Sequence, residues 1–327
     1  MKTTIGITAG DPAGIGLEVV LKAIPSLLEA AHWVLFVDQA TFLPQLEQFQ
    51  PSLPWSQNRD TVADNSAGLW IHDLGSTGGS AEWGRGNRET GQRALRALDT
   101  AGRAALDGHL DAIVTAPLSK QHVGGGFRGQ TEFLAEQAGV DTFAMSFFSP
   151  TFKVVLATTH LPLSEAIRSL SSDSYVDLIR FVDAEFRRLD YPAPRIAVAG
   201  INPHAGEGGL FGSEDEEILR PAVRECCEAG IAVSGPHPAD SLYFRAHSGD
   251  FDVVVAPYHD QGLIPIKLIS NGTATNVTLG LPYVRTSPDH GTAFDIAGQG
   301  VATPEGMKTA LVRAIDLVRR TQSFRSP

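Results

Sequence analysis

The sequence predicts an α/β protein, and three observations carry that prediction. Short β-branched, apolar runs alternate with longer amphipathic stretches, the alternation keeps one class from end to end, and 43% apolar against 19% charged residues supports a packed core. In chain order, Ile5 to Thr8 reads as the first strand and Gly16 to Glu29 as the helix after it. Trp33 to Val37 is an all-apolar strand, and Pro44 to Ala67, with its Pro, Gln, Asn and Asp, is the irregular polar stretch. Leu69 to His72 is a strand, Arg88 to Leu106 an amphipathic helix and Ala112 to Thr115 a strand. Strands follow at Val154 to Thr158, Ile196 to Ala199, Val253 to Ala256 and Thr275 to Thr278, with helices at Tyr175 to Leu189, Asp215 to Glu228 and Pro304 to Thr321. No internal repeat of about 20–50 residues is visible, which excludes a solenoid.

Length and charge narrow the function classes. The 327 residues make one large or two medium domains at about 100–200 residues each. With 26 Lys+Arg against 37 Asp+Glu the formal net charge is -11, which argues against nucleic acid or an anionic membrane as a partner reached by bulk charge. Cys226 and Cys227 are adjacent, neither a disulfide framework nor a metal-ligand spacing, and point to a reducing compartment. No apolar run approaches the ~18 residues of a membrane span, and Met1 to Thr8 starts directly as a strand, so a cytoplasmic location is expected. The Asn-x-Thr triplets at Asn271 and Asn276 then count as chance sequons. Glycine, 33 residues, is in surplus and belongs in turns and close backbone approaches.

Four constellations have chemical potential. Thr8-Ala9-Gly10-Asp11-Pro12-Ala13-Gly14-Ile15-Gly16 follows a strand and opens a helix, with Asp11 available as N-cap. Its glycine spacing is neither the dinucleotide fingerprint nor a P-loop, so it reads equally as a tight turn. His160, His204 and His259 each follow a strand at its carboxyl end, where open α/β sheets collect functional groups, and none is read on a helix face. Singly each is a satisfied strand-end residue; together they suit Zn, Co or Ni with positions left for substrate oxygens. Asp240 and Asp260 are the nearby carboxylates, able to take a proton or simply to cap a helix. Lys267, Asn276 and Arg285, nine residues apart, suit a phosphate or carboxylate, and Asp289 to Gly298 is a small-residue turn leading toward a helix.

Taken together, these segments resemble the 4-hydroxythreonine-4-phosphate dehydrogenase family, the PdxA family of vitamin B6 biosynthesis. The matching stretches are Gly10 to Gly16, Thr115-Ala116-Pro117-Leu118-Ser119-Lys120, Thr158 to Leu163, Asn202-Pro203-His204-Ala205-Gly206-Glu207, Tyr258-His259-Asp260-Gln261-Gly262 and Asn276 to Pro282, which span nearly the whole chain. The stretch His290 to Gly298 is also similar to the nicotinamide loop of isocitrate and isopropylmalate dehydrogenases. The resemblance implies a two-lobed isocitrate/isopropylmalate dehydrogenase-like α/β fold without the Rossmann fingerprint. The first lobe is expected at 1–130 plus 282–327, and the second, with the metal site and dimer contacts, at 131–281.

For the site, the resemblance implies one divalent metal (Zn, Mg or Co) on His160, His204 and His259, and substrate contacts from Thr131, Lys267, Asn276 and Arg285. It implies NAD or NADP along His290, Gly291, Thr292, Ala293, Ile296 and Gly298, and a homodimer with each site built from both chains. The implied reaction oxidises 4-phosphooxy-L-threonine at C3 and decarboxylates the β-keto acid to 3-amino-2-oxopropyl phosphate, with Asp240 or Asp260 as proton acceptor. Two departures bear on the substrate. The family's Gly-His-Thr-Glu reads Gly129-Gln130-Thr131-Glu132, so the substrate-contacting His is Gln130, which never carries a positive charge. Leu263-Ile264-Pro265-Ile266-Lys267 is closer to paralogues acting on 4-phospho-D-threonate or erythronate, or on aromatic cis-dihydrodiols. From another class, a three-His metallohydrolase also fits the histidines, and the nicotinamide-type loop speaks against it.

Overall fold

The computed structural model describes residues 2–57, 68–75 and 81–325. It divides into two compact units, Met1–Phe143 with Thr275–Arg319, and Ala144–Ala274 with Arg320–Pro327. The first part of the chain forms β1 (Thr4–Thr8), α1 (Gly16–Ala23), β2 (His32–Val37), α2 (Gln39–Phe49), β3 (Trp55–Ser56), β4 (Gly68–Asp73), α3 (Arg88–Leu106), β5 (Ala112–Thr115), α4 (Lys120–Val123) and α5 (Gln130–Ala138). The second unit follows with β6 (Ala144–Phe148), β7 (Lys153–Leu156), α6 (Leu163–Arg168), α7 (Ser172–Arg188), β8 (Ile196–Ala199), α8 (Arg220–Glu228), β9 (Val233–His237), α9 (Ala239–His247), β10 (Val253–Ala256) and α10 (His259–Ser270). The chain then adds β11 (Thr275–Leu279), β12 (Val284–Pro288) and α11 (Glu305–Arg325).

In the first unit the strands lie in the order β3-β4-β2-β1-β5-β12-β11, parallel except for β11 against β12. The order reverses between β1 and β5, the switch point at whose carboxyl end open sheets bind ligands. Ile5, Ile7, Ile113 and Val114 are fully buried, as expected of parallel strands covered on both faces. Helix α5 packs Leu134 and Ala135 into a core with Leu98 and Ala101 of α3, and β11 pairs with β12. The units therefore part at Phe143/Ala144 and Ala274/Thr275 rather than at 130/131 and 281/282. In the second unit the order is β6-β7-β10-β8-β9, with β7, β10, β8 and β9 parallel and β6 antiparallel to β7.

Several elements differ from expectation for identifiable reasons. Helix α1 ends at Ala23 instead of running to Glu29, because Pro25 has no N–H to donate back to the preceding turn, and the chain tightens into a 3-10 turn over Ile24–Leu27. Asp11 is not its N-cap: the helix starts at Gly16 after Ile15, and Asp11 instead accepts from the Ala13 N–H at 3.0 Å. The polar stretch from Pro44 is helical as far as Phe49 with Pro44 inside α2, and its residues 58–67 lie outside the described ones. Helix α8 begins at Arg220, preceded by a π-turn over Asp215–Leu219. His259 is not off a helix, as read from the sequence, but is the first residue of α10.

Candidate active site

The first unit gathers a buried cation. Arg285 on β12 lies in register with Ile113 of β5 and Thr278 of β11, and its side chain is 3% exposed. Its Nε and Nη2 donate to Thr115 Oγ1 at 3.2 and 2.7 Å, and its Nη1 donates to Thr131 Oγ1 at 3.2 Å and Thr278 Oγ1 at 3.0 Å. No carboxylate pairs with it among the described residues. Burial pushes the guanidinium down from its ordinary value to about 10, against the smaller opposing effects of Tyr283 and Glu132. It stays charged at neutral pH, and the three threonines that accept from it keep their own hydroxyl protons to donate. A buried cation ringed by hydroxyl donors is built to receive an anion.

Two buried amides belong to the segments that carry these threonines. Asn276 is two residues from Thr278 on β11, so both side chains leave the same face of the strand, and its buried Oδ1 has no hydrogen-bond partner. Gln130, the first residue of α5, donates Nε2 to the Ala116 carbonyl at 3.2 Å, and its buried Oε1 is also unpartnered. The structure thus brings together Gln130, Thr131 and Arg285, and adds Thr115 and Thr278, which sequence reasoning missed. Lys267 belongs to the other unit, exposed on α10 eight residues beyond His259.

The loop from His290 to Gly300 is docked on the turn after β1. Ile15 N–H donates to the Thr292 carbonyl at 3.0 Å, and Gln48 Nε2 to the Gly298 carbonyl at 2.9 Å. Lys22 Nζ, paired with Glu18, reaches the Gly300 carbonyl at 2.7 Å. A Cβ at Gly14 would lie 2.8 Å from the Thr292 carbonyl oxygen, so the glycine-rich turn is shaped by this contact. His290 Nδ1 lies 3.1 Å from the Gly291 carbonyl and its buried Nε2 has no partner, while the Trp83 ring lies over Gly298. Asp11, fully buried, meets His122 Nδ1 at 3.3 Å, and the His122 ring packs on Phe294 of the same loop.

In the second unit the three histidines end three neighbouring parallel strands: His160 follows β7, His259 follows β10 and His204 follows β8. His160 and His259 have ring centroids 5.7 Å apart and line one pocket of about 250 Å³ with Tyr258 and Asp260. Two imidazoles sharing one ion at ordinary metal–nitrogen distances place their centroids roughly 5–6 Å apart, so this pair fits a metal. His259 Nδ1 lies 2.7 Å from Asp260 Oδ1, the carboxylate–imidazole contact that leaves Nε2 for a ligand. His204 sits in a left-handed loop, with φ of 55° at His204, 52° at Ala205 and 42° at Glu207. Buried Asp215, whose role the sequence hid, fixes that loop by accepting from the N–H groups of Ile201 at 2.8 Å and Asn202 at 3.0 Å. Within one chain, no group of three His, Cys, Asp or Glu among the described residues is close enough to hold a metal. Asp240 is exposed at the start of α9, its Oδ1 accepting from the Ser241 N–H.

The chain is similar to known proteins over nearly its whole length. Residues 29–314 match the family described as pyridoxal phosphate biosynthetic protein PdxA. A 4-hydroxythreonine-4-phosphate dehydrogenase of Beijerinckia indica is 39% identical, covering 98% of this chain and 96% of its own. A D-threonate 4-phosphate dehydrogenase of Salmonella typhimurium is also 39% identical, over 96% of this chain and 98% of its own. The crystal structure of 4-hydroxythreonine-4-phosphate dehydrogenase from Klebsiella pneumoniae superposes with a TM-score of 0.88 at 38% identity, covering 97% of this chain and 98% of that one. With the family matched over most of its length and its relatives dehydrogenases, the chain belongs to the PdxA family of pyridoxal phosphate biosynthetic dehydrogenases.

Proposed function

We propose that this protein oxidises the secondary alcohol of a four-carbon, 4-phosphorylated acid with NAD or NADP as hydride acceptor, and that the β-keto acid then loses CO2. In the leading reading the substrate is 4-phosphooxy-L-threonine and the product 3-amino-2-oxopropyl phosphate, a step toward pyridoxal phosphate. The observation that carries this is the buried Arg285 guanidinium, which holds three threonine hydroxyls and, among the described residues, no carboxylate. Arg285, with Thr115, Thr131 and Thr278, binds one anionic end of the substrate; Asn276, Gln130 and Lys267 are the further substrate contacts. The loop over His290, Gly291, Thr292, Ala293, Ile296 and Gly298 holds the nicotinamide cofactor.

His160, His204 and His259 would hold the divalent metal, Zn, Mg or Co, which when bound supplies Lewis-acid activation of the alcohol. Asp260 orients the His259 ring through Nδ1, and Asp240 or Asp260 takes the alcohol proton. Homodimerisation completes the site. Leu161 beside His160, Phe211 beside His204, and Ile264 and Leu268 farther along α10 from His259, 47%, 45%, 65% and 79% exposed, offer apolar surface for a second copy.

A second reading, oxidation of 4-phospho-D-threonate, is favoured by Gln130 and by the equal identity to the Salmonella enzyme. The deciding measurement is NADH or NADPH formation from 4-phosphooxy-L-threonine, 4-phospho-D-threonate, 4-phospho-D-erythronate and an aromatic cis-dihydrodiol, with metal present. The first is expected to have the highest kcat/KM. Much slower turnover of it than of any other overturns the leading reading, and no reduction of either cofactor overturns the dehydrogenase assignment of the site.

A further inference from the structure

We infer that His122 is a positioning residue for the nicotinamide cofactor: held on the buried Asp11 carboxylate, its ring is the wedge that sets Phe294 and with it the shape of the loop from His290 to Gly298. The inference rests on the reading that this loop holds the cofactor and deepens it, by naming what keeps the loop in its binding shape. Asp11, from the one sequence constellation that the proposed function leaves unused, is fully buried after β1. Its N–H donates to the Pro117 carbonyl at 3.0 Å, its Oδ1 accepts from the Ala13 N–H at 3.0 Å, and its Oδ2 lies 3.3 Å from His122 Nδ1. A carboxylate only accepts, so Nδ1 is the donor, and His122 is the one side chain that Asp11 bonds among the described residues. Losing that partner would leave a buried carboxylate oxygen without a donor, which is costly.

Other segments of the first unit confine His122 as well. A Cβ at Gly91 of α3 would lie 2.2 Å from the His122 carbonyl carbon, and one at Gly86 would lie 2.2 Å from His122 Cε1 and 2.9 Å from Phe294 Cζ. The two rings thus share one slot that a glycine at 86 leaves open, with centroids 5.2 Å apart and planes at 47°. Next to Phe294 the loop is strained. Ala293 has a φ of 43°, left-handed backbone that a non-glycine residue holds only where its surroundings over-determine it. Both flanking residues are anchored: the Thr292 carbonyl accepts from the Ile15 N–H at 3.0 Å, and the Phe294 ring is set against His122. Removing the imidazole frees the second anchor, so Ala293 relaxes and the loop must be re-formed each time a dinucleotide binds.

The test is dinucleotide affinity, measured on the full-length protein by energy transfer from tryptophan to NADH and to NADPH; the Trp83 ring over Gly298 places one donor on the loop itself. His122→Ala is expected to weaken binding of whichever dinucleotide the unaltered protein takes by about tenfold, the order of one strained backbone residue. The cofactor KM should rise with it, while kcat at saturating cofactor stays within about twofold. Phe294→Ala should lose a similar amount, and adding His122→Ala to it should cost less than about twofold more, because the two side chains act through one contact. Wild-type affinity in a folded His122→Ala protein overturns the inference, and so do additive losses in the double variant. Should His122→Ala fail to fold by circular dichroism, His122→Asn decides in its place: it sets an amide donor near where Nδ1 stands, keeps Asp11 paired, and should still lose about tenfold for want of the ring. Failure of both to fold overturns the inference as well, since His122 then ties the whole unit and not the loop. No energy transfer to either dinucleotide on the unaltered protein is a different failure, that of the cofactor reading itself.

Discussion

Arg285 is held where burial opposes its charge. Its folded-state pKa of about 10 lies below that of the exposed group, so between the two values the unfolded chain binds more protons. The penalty is therefore fully present at neutral pH and is relieved as pH rises through about 10 toward the ordinary guanidinium value. It is on the order of 3 kcal/mol at neutral pH. Replacing the side chain by an apolar one of similar length removes the penalty together with the anion site. Arg285→Met should unfold thermally at the same temperature or several degrees higher without ligand, while losing substrate turnover by more than a hundredfold. A large fall in melting temperature would show that Arg285 is a structural tie instead. The sequence disclosed Arg285 and Asn276 through their spacing and the family motifs. It did not disclose Thr115 and Thr278, because a threonine inside a strand looks like any β-branched strand residue. Asp215 escaped for a related reason, being read as part of an acidic helix although it is fully buried and holds the His204 loop.

At the scale of elements, the strands were the legible part, since β1, β2, β5, β8, β10 and β11 coincide with apolar runs to within a residue or two. Strands β3, β6, β9 and β12 and helices α2, α4, α5, α6, α9 and α10 escaped; α10, which carries His259 and Lys267, did so because Gly262 and Pro265 interrupt its helical signal. The glycine has a packing reason. A Cβ at Gly262 would lie 2.7 Å from Leu156 Cδ2, 2.8 Å from Val154 Cγ1 and 3.1 Å from Ala256 Cβ. Helix α10 can thus sit directly on β7 and β10, the strands that lead to His160 and His259. Gly262→Ala should lift the helix and cost about 1–3 kcal/mol in urea unfolding. It should also weaken divalent-metal affinity, although residue 262 touches no ligand. Wild-type metal affinity in a variant destabilised by that amount would detach α10's seating from the histidine geometry.

For the whole molecule, the net charge of -11 excludes a polyanion but says nothing of the small anion that Arg285 awaits. Bulk charge acts over distances that solvent ions screen, whereas a buried guanidinium acts at contact. The distribution of the proposed site is more informative. Gln130, Thr131, Asn276 and Arg285 belong to the first unit, and His160, His204 and His259 to the second, in a chain that does not itself gather three metal ligands among its described residues. If each site takes its histidine set and its anion set from different protomers, two dead variants should rescue each other. His204→Ala and Arg285→Met are each expected to be inactive as homodimers. Mixed dimers of the two would carry one doubly damaged site and one intact site. Refolding the variants together at equal concentration makes about half of the dimers mixed, so about a quarter of wild-type activity should return. Activity at that level requires sites shared between chains. No recovery, with mixed dimers present by differential tagging, would place both residue sets of each site on one chain.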